Sequence, residues 1–248
     1  MNPVGELSDL LRSSTNTVVF TGAGVSTASG IRDFRGKNGI YNDTFRGYRV
    51  EELFGIDLFR ENPKIFYDWA RDFVYGLDRF RPCIVHEVLA DMERAGRLQA
   101  VITQNIDRLH TLAGSQHVFE VHGSPQVHHC LSCGKAYSYD DVAPRVRAGE
   151  LPRCSCGGIL KPDIVFYGEP LPENVLSGAL TACQNADVIL VLGSSLTVYP
   201  AASLPEEAYL CGARLAIVNE TPTPLDSRAL IRLSNLTDTF QQLKELLR

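Results

Sequence analysis

Two cysteine pairs, Cys130-x-x-Cys133 and Cys154-x-Cys156, stand twenty residues apart, each beside glycine at Gly134 or Gly157-Gly158. Four thiolates at this spacing satisfy tetrahedral zinc with no open coordination position, so the expected chemistry is structural rather than catalytic. The second pair is one residue shorter than the usual knuckle, and His128 and His129 stand close enough in sequence to replace a ligand. The other cysteines, Cys83, Cys183 and Cys211, lie in helical or apolar contexts and read as small buried side chains.

A second candidate is the glycine loop Thr21-Gly22-Ala23-Gly24-Val25-Ser26-Thr27, which follows the β-branched run TVVF at 17–20. Backbone N–H groups without Cβ obstruction can approach a pyrophosphate there. The dinucleotide fingerprint asks for a third glycine where Thr27 stands and for an acidic residue closing a second strand about 20 residues on. Residues 36–62 show no such buried strand, which disfavours a hydride-transferring dehydrogenase and leaves a plain turn as the competing reading.

The elements that must position these residues follow from apolar periodicity. Residues 98–102 (LQAVI), 188–192 (VILVL) and 215–218 (LAIV) are continuously apolar, the mark of strands covered on both faces of a parallel sheet. Each is followed at once by small polar residues, Thr103-Gln104-Asn105-Ile106-Asp107, Gly193-Ser194-Ser195 and Asn219-Glu220. In open α/β sheets ligands bind at the carboxyl ends of the strands, so these residues converge on one edge. Helical spacing is expected over 6–13, 65–77 and 84–92, with Gly96 closing the last, and a weaker helix over 140–147.

Composition sets the boundaries. The 248 residues suit one large domain with a small insert, and the 44% hydrophobic and 21% charged content is that of a globular protein. A net charge of −5 offers no broad basic surface, so direct nucleic-acid binding is not expected. No apolar run approaches the roughly 20 residues of a membrane span, and the opening MNPVGELSDLLRSS lacks a secretory apolar core. The expected compartment is the cytoplasm, whose reducing conditions favour metal binding by the cysteines over disulfides.

In one order along nearly the whole chain stand Gly22-Ala23-Gly24-Val25-Ser26, Gly30-Ile31-Arg32-Asp33-Phe34-Arg35-Gly36, Thr103 to Asp107, His122-Gly123, the cysteine quartet, Gly193-Ser194-Ser195 and Val218-Asn219. Together they resemble the sirtuin family of NAD-dependent protein-lysine deacylases. The resemblance implies an α/β fold: a Rossmann-like parallel sheet with helices on both faces, plus a small domain made of a zinc ribbon and a helical module. Residues 1–35, 81–124 and 161–248 would form the NAD-binding domain, with 36–80 the helical module and 125–160 the zinc module.

The resemblance also assigns roles. NAD would be the co-substrate and one structural Zn2+ would sit on Cys130, Cys133, Cys154 and Cys156. Gly22, Ala23, Gly24, Thr27, Asp33, Phe34 and Arg35 would contact the cofactor, with Gly193, Ser194, Ser195 and Asn219. Gln104 would meet the nicotinamide ribose, and Asn105, Ile106 and Asp107 would line the nicotinamide pocket. Asn105 and Asp107 join His122 as the catalytic set, with His122 as cofactor contact and general base, since an imidazole of ordinary pKa about 6.5 accepts a proton near neutrality. Without the resemblance, His122 reads as a surface histidine after a strand at 118–121, and Asp33 and Asp107 as turn-forming aspartates.

In the implied reaction the acyl oxygen attacks the ribose C1′ as nicotinamide leaves, the base activates a ribose hydroxyl, and the resulting alkylamidate breaks down to lysine and O-acyl-ADP-ribose. The acyl-lysine peptide or protein would add as a strand along Val165, Phe166 and Gly168 and along Leu196 and Val198. Arg32 departs from the family's proline. Ala70 stands where relatives acting on succinyl- or malonyl-lysine carry arginine, with Arg71 one place later, which favours acetyl or another neutral acyl group. Three rivals remain: a mono-ADP-ribosyltransferase, a non-catalytic nucleotide sensor and a zinc-ribbon interaction protein.

Overall fold

The computed structural model describes residues 2–36 and 38–247. Its strands are β1 (Thr17–Thr21), β2 (Thr44–Phe45), β3 (Tyr48–Arg49), β4 (Ala100–Thr103), β5 (Val118–Glu120), β6 (Gly123–Cys130), β7 (Ala136–Ser138), β8 (Leu160–Ile164), β9 (Val188–Leu192), β10 (Arg214–Val218) and β11 (Ile231–Leu233). The chain divides into a larger unit, Met1–Ile31, Arg81–Val121 and Leu171–Arg248, and a smaller one, Arg32–Phe80 and His122–Pro170. Residues 122–124 and 161–170 group with the smaller unit because β6 pairs antiparallel with β8, and residues 32–35 because Arg32 bonds Asp43 and Arg35 bonds Glu51 and Tyr167.

The larger unit is a six-stranded sheet of order β11-β10-β9-β1-β4-β5, parallel throughout. Strands β1, β4 and β9 are buried along their whole length, which is why their sequences are continuously apolar. Alternation splits each strand between two cores. Val19, Val101 and Leu190 pack with the helices Pro3–Arg12, Ile84–Arg94 and Leu236–Leu246, while Phe20, Ile102 and Val191 pack with Glu173–Asn185 and Leu204–Leu210. The chain runs outward from β1 to β4 and β5, then returns to β9 on the other side of β1. The loops after β1 and β9 thus lie at the point where strand order reverses, the position at which such sheets bind ligands.

The smaller unit holds the antiparallel sheet β7-β6-β8 and the exposed hairpin β2-β3. Its core is aromatic: Phe54, Phe59, Phe66 and Phe166 meet edge to face or tilted, Phe59 to Phe166 at 5.3 Å between centroids. The helical spacing over 65–77 resolves into the helix Pro63–Ala70 and a 3-10 turn Val74–Arg79, because the i,i+3 spacing of Val74 and Leu77 serves both. The helix Tyr139–Arg147 is capped by the Ser138 hydroxyl and the Asp141 carboxylate.

Cys183 is buried, Cys83 is partly buried, and Cys211 is exposed at the end of the helix Leu204–Leu210, contrary to its sequence reading. An apolar neighbourhood in sequence does not bury a residue that closes a surface helix.

Three histidines are interior. In the larger unit His86 and His110 pack ring to ring at 4.6 Å, and Thr21 Oγ1 bonds His110 Nε2 at 3.0 Å. In the smaller unit His128 Nε2 meets the Tyr75 hydroxyl at 2.6 Å. Burial lowers the pKa of His86 and of His128 to about 4, and holds His110 well below its ordinary value. Above pH about 6.5 these rings are neutral in folded and unfolded chains alike; below it only the unfolded chain takes up protons. Stability should therefore fall as pH drops from about 6.5 to about 4, by on the order of 3 kcal/mol for each ring titrating near 4. Urea denaturation across that range checks this, and a midpoint independent of pH there would contradict it.

Candidate active site

In the larger unit two loops interlock through backbone alone. Gly22 N–H donates to Leu192 O at 3.0 Å and Gly24 N–H to Gly193 O at 2.8 Å. A Cβ on Gly22 would stand 2.7 Å from Gly193 O, and one on Gly24 2.7 Å from Gly193 Cα. Gly193 itself has φ +58, and its Cβ would stand 2.6 Å from Val25 N. These glycines are thus required by the contact between the loops after β1 and β9, which brings Gly22 and Gly24 against Gly193 and Ser194, with Ala23 and Thr27 bounding the short helix Ala23–Thr27.

The loop after β4 joins them. Gln104 N–H donates to Thr21 O at 3.0 Å, and Ser194 Oγ donates to Gln104 Oε1 at 3.1 Å. Asn105 is 4% exposed; its Nδ2 donates to Gly22 O at 3.0 Å and its backbone N–H to Thr103 Oγ1 at 3.1 Å. Asp107, also buried, accepts from the Ser26 hydroxyl and from Leu109 N–H at 2.9 Å. Burial pushes the Asp107 carboxyl above the usual range, opposed by those two donors. Ile106 is buried between them in sequence, and Asn219, after β10, spends its Nδ2 on Thr221 O at 2.8 Å. The Ser195 hydroxyl meets that of Thr197 at 3.0 Å.

In the smaller unit His122 is half-buried, in the turn just before β6. Its carbonyl accepts from Val165 N–H at 2.9 Å. The next residue must be glycine: Gly123 has φ +67, and a Cβ there would stand 1.9 Å from Asp163 O. Gly123→Ala should cost about 2–5 kcal/mol, the sum of left-handed strain and an overpacked contact. Chemical denaturation measures this, and a loss under about 1 kcal/mol would show that the β6-β8 contact can yield.

Asp33 accepts from Gly36 N–H at 3.2 Å and so shapes its own turn. Phe34 packs against Tyr41, Phe54 and Phe73. Arg35 donates to Tyr167 Oη at 2.7 Å and to Glu51 at 3.2 Å. Arg32 donates to both Asp43 oxygens, at 2.7 and 3.2 Å, and to Asn38 O, ties that a proline could not make.

The segment after β8 is bolted by its backbone: Tyr167 N–H donates to Phe54 O at 2.7 Å, and Ile56 N–H to Tyr167 O at 3.0 Å. Phe166 is 1% exposed, whereas Gly168 is exposed with φ +92, and a Cβ there would stand 3.0 Å from Ile56 Cγ2. Leu196, in the larger unit, is 2% exposed with φ 54, and Val198 is half-buried. Phe166 N–H donates to Glu169 Oε2 and its carbonyl accepts from Glu169 N–H, both at 2.9 Å, and Leu196 N–H donates to Ser194 Oγ at 3.2 Å.

The chain is similar over most of its length to known proteins. The Sir2 family profile matches residues 22–200. An NAD-dependent protein deacetylase of Thermotoga maritima is 43% identical over 228 residues, 92% of this chain and 91% of that protein. The chain belongs to the Sir2 family. An NAD-dependent protein deacylase of Archaeoglobus fulgidus is 42% identical over 90% of this chain and 87% of its own length. Among solved structures, a Sir2 histidine variant with deacetylated p53 peptide and 3'-O-acetyl-ADP-ribose has TM-score 0.91 at 40% identity, covering 98% of this chain and 97% of that one. A Sir2 complex with p53 peptide and NAD+ has TM-score 0.89 at 40% identity, covering 97% and 96%.

This Sir2 chain keeps its four knuckle cysteines together. The Sγ atoms of Cys130, Cys133, Cys154 and Cys156 lie within 4.8 Å of one another, with Cys130–Cys156 at 3.5 Å and Cys133–Cys154 at 3.6 Å. A zinc tetrahedron with bonds of about 2.3 Å has edges of about 3.8 Å, so the donor set fits the ion. Gly158 is obligatory, since a Cβ there would stand 2.6 Å from Cys130 Sγ. His128 and His129 stand apart from this set, bonded to Tyr75 and, at 2.7 Å, to Asp163. Ser26 was given no role from sequence; its bond to Asp107 spans 81 residues and leaves no local signal. No helix among the described residues is long and apolar enough to cross a membrane.

Proposed function

We propose that this chain removes acetyl groups from protein lysine side chains at the expense of NAD, yielding nicotinamide, free lysine and O-acetyl-ADP-ribose. The observation that carries the reading is the backbone interlock of Gly22, Gly24 and Gly193 with the buried Asn105 amide bonded into it. The interlock stands at the carboxyl ends of parallel strands where strand order reverses, the place at which such sheets bind dinucleotides. Relatives of more than 40% identity that carry the name NAD-dependent protein deacetylase support the rest.

The larger unit supplies Gly22, Ala23, Gly24, Thr27, Ser194, Ser195 and Asn219 to the ADP-ribose portion, and Gln104 to Asp107 to the nicotinamide end. Asp33, Phe34 and Arg35 are the further cofactor contacts of this reading, and His122 is its acceptor of a ribose hydroxyl proton. The segments holding Val165, Phe166 and Gly168 and holding Leu196 and Val198 take the acyl-lysine peptide as an added strand, which gives little side-chain selectivity. Zinc on the four cysteines supplies folding energy and no chemistry. None of the seven cysteines is in a disulfide, which fits a cytoplasmic enzyme, and nucleic acid has no part in the reading.

The acyl group is neutral. Ala70 is fully buried, the Tyr67 hydroxyl is spent on Leu160 O at 2.6 Å, and Arg71 lies toward Asp72 at 3.7 Å. Position 70 thus offers no guanidinium, and the helix's Lys64 is already paired with Asp68, so succinyl peptide should react at least about tenfold more slowly than acetyl peptide in kcat/KM. Comparable rates on the two would contradict the assignment. The primary test is incubation with acetyl-lysine peptide, with and without NAD. Nicotinamide and deacetylated peptide should appear in equal amounts, and only with NAD. Deacetylation without NAD refutes the mechanism, and ADP-ribose appearing on the peptide would identify a transferase instead.

A further inference from the structure

Lys161 is 8% exposed, a burial that charged side chains accept only when paired. Its ammonium has an acceptor for each proton: Pro162 O at 3.2 Å, Ile164 O at 2.8 Å and Glu169 Oε2 at 2.8 Å. The same ammonium lies 4.3 Å from the centre of the Phe166 ring. Glu169 Oε2 also accepts from Phe166 N–H at 2.9 Å. One ion pair thus grips residues 162, 164, 166 and 169, both ends of the stretch that leaves β8.

We propose that Lys161 and Glu169 are positioning residues for the acyl-lysine peptide, their contact holding Val165 to Gly168 as a formed edge before the peptide arrives. The proposal rests on the deacetylase reading above. Stability alone does not call for such a pair, because buried ion pairs can be replaced by apolar side chains of similar volume at little or no cost. What apolar side chains cannot do is bond two carbonyls and an N–H at once, and those bonds set the path of the main chain. A segment that recognises its ligand through backbone loses affinity when that path is released, since ordering must then be supplied on binding.

The zinc-loaded full chain tests this with an acetyl-lysine peptide. Glu169→Gln and Lys161→Met should raise the peptide KM by roughly ten- to a hundredfold, the effect of misplacing a binding group by about 1 Å. The NAD KM and kcat at saturating peptide should stay within about twofold. Lys161→Arg, which keeps a cation facing Glu169, should recover most of the peptide affinity. Anisotropy of labelled peptide without NAD reads the same loss free of turnover. The double variant K161M/E169L covers the case in which single variants fold badly: folded, it should still bind peptide weakly. A folded double variant with wild-type peptide KM overturns the proposal, as does an equal rise in the NAD and peptide KM values. A wild-type chain that binds no acetyl-lysine peptide overturns the deacetylase reading itself, which separates the two failures.

Discussion

His122→Ala should abolish deacetylation, lowering kcat/KM by about 10²- to 10⁴-fold, the range a positioned general base contributes. The fold should survive, because what residue 122 gives to its neighbours is a carbonyl: it is His122 O that accepts from Val165 N–H at 2.9 Å. Alanine keeps that bond, and Gly123 retains its φ of +67. The variant should therefore unfold at the wild-type temperature and hold the same zinc. If the imidazole acts after nicotinamide has left, exchange of labelled nicotinamide into NAD should suffer less than deacetylation. Deacetylation retained within about tenfold of wild type would remove His122 from the reaction and send the search for a base elsewhere.

That residue shows how far local sequence carries. β1, β4, β9 and β10 were legible because strands covered on both faces need apolar side chains at every position, a pattern that survives without knowledge of partners. The loops that follow them were legible for the same reason, as abrupt polar endings of apolar runs. β11 was not: IRL is three residues long and half-buried throughout, and it becomes a strand only because β10 lies beside it. β6 and β8 carry His128, Lys161 and Pro162, residues that argue against a strand until their partners are known. Interactions over long separations were equally silent. The bond from Asn105 to Gly22 O spans 83 residues, and nothing near either residue announces it. Gly22, Gly24 and Gly193 could be read as a phosphate-binding loop, but their mutual contact shows a second reason for being glycine. Fold and site thus make the same demand on those positions, so a substitution there cannot separate binding from folding.

Removing zinc should have the second large effect. The Sγ atoms stand 3.5 to 3.6 Å apart in the pairs Cys130–Cys156, Cys133–Cys154 and Cys133–Cys156, far beyond the about 2.05 Å of a disulfide and close to the edge of a zinc tetrahedron. Such an arrangement of four thiolates repels itself unless a cation compensates it, and the sheet β7-β6-β8 is short, with its apolar content concentrated in Leu160, Ile164 and Val142 of the adjoining helix. Metal binding then becomes folding energy, about 10–16 kcal/mol for structural zinc in small zinc-binding peptides. That is as large as the about 5–15 kcal/mol total stability of most domains, so chelation or Cys130→Ser should melt this sheet and not merely loosen it. Hydrogen exchange should rise across residues 123–164 and peptide turnover should vanish with it, since Gly123 and Val165 take their register from β6 and β8. Metal analysis should return one zinc per chain before treatment. A verified metal-free chain that keeps slow exchange in β6 and full turnover would show that the cysteines need no ion.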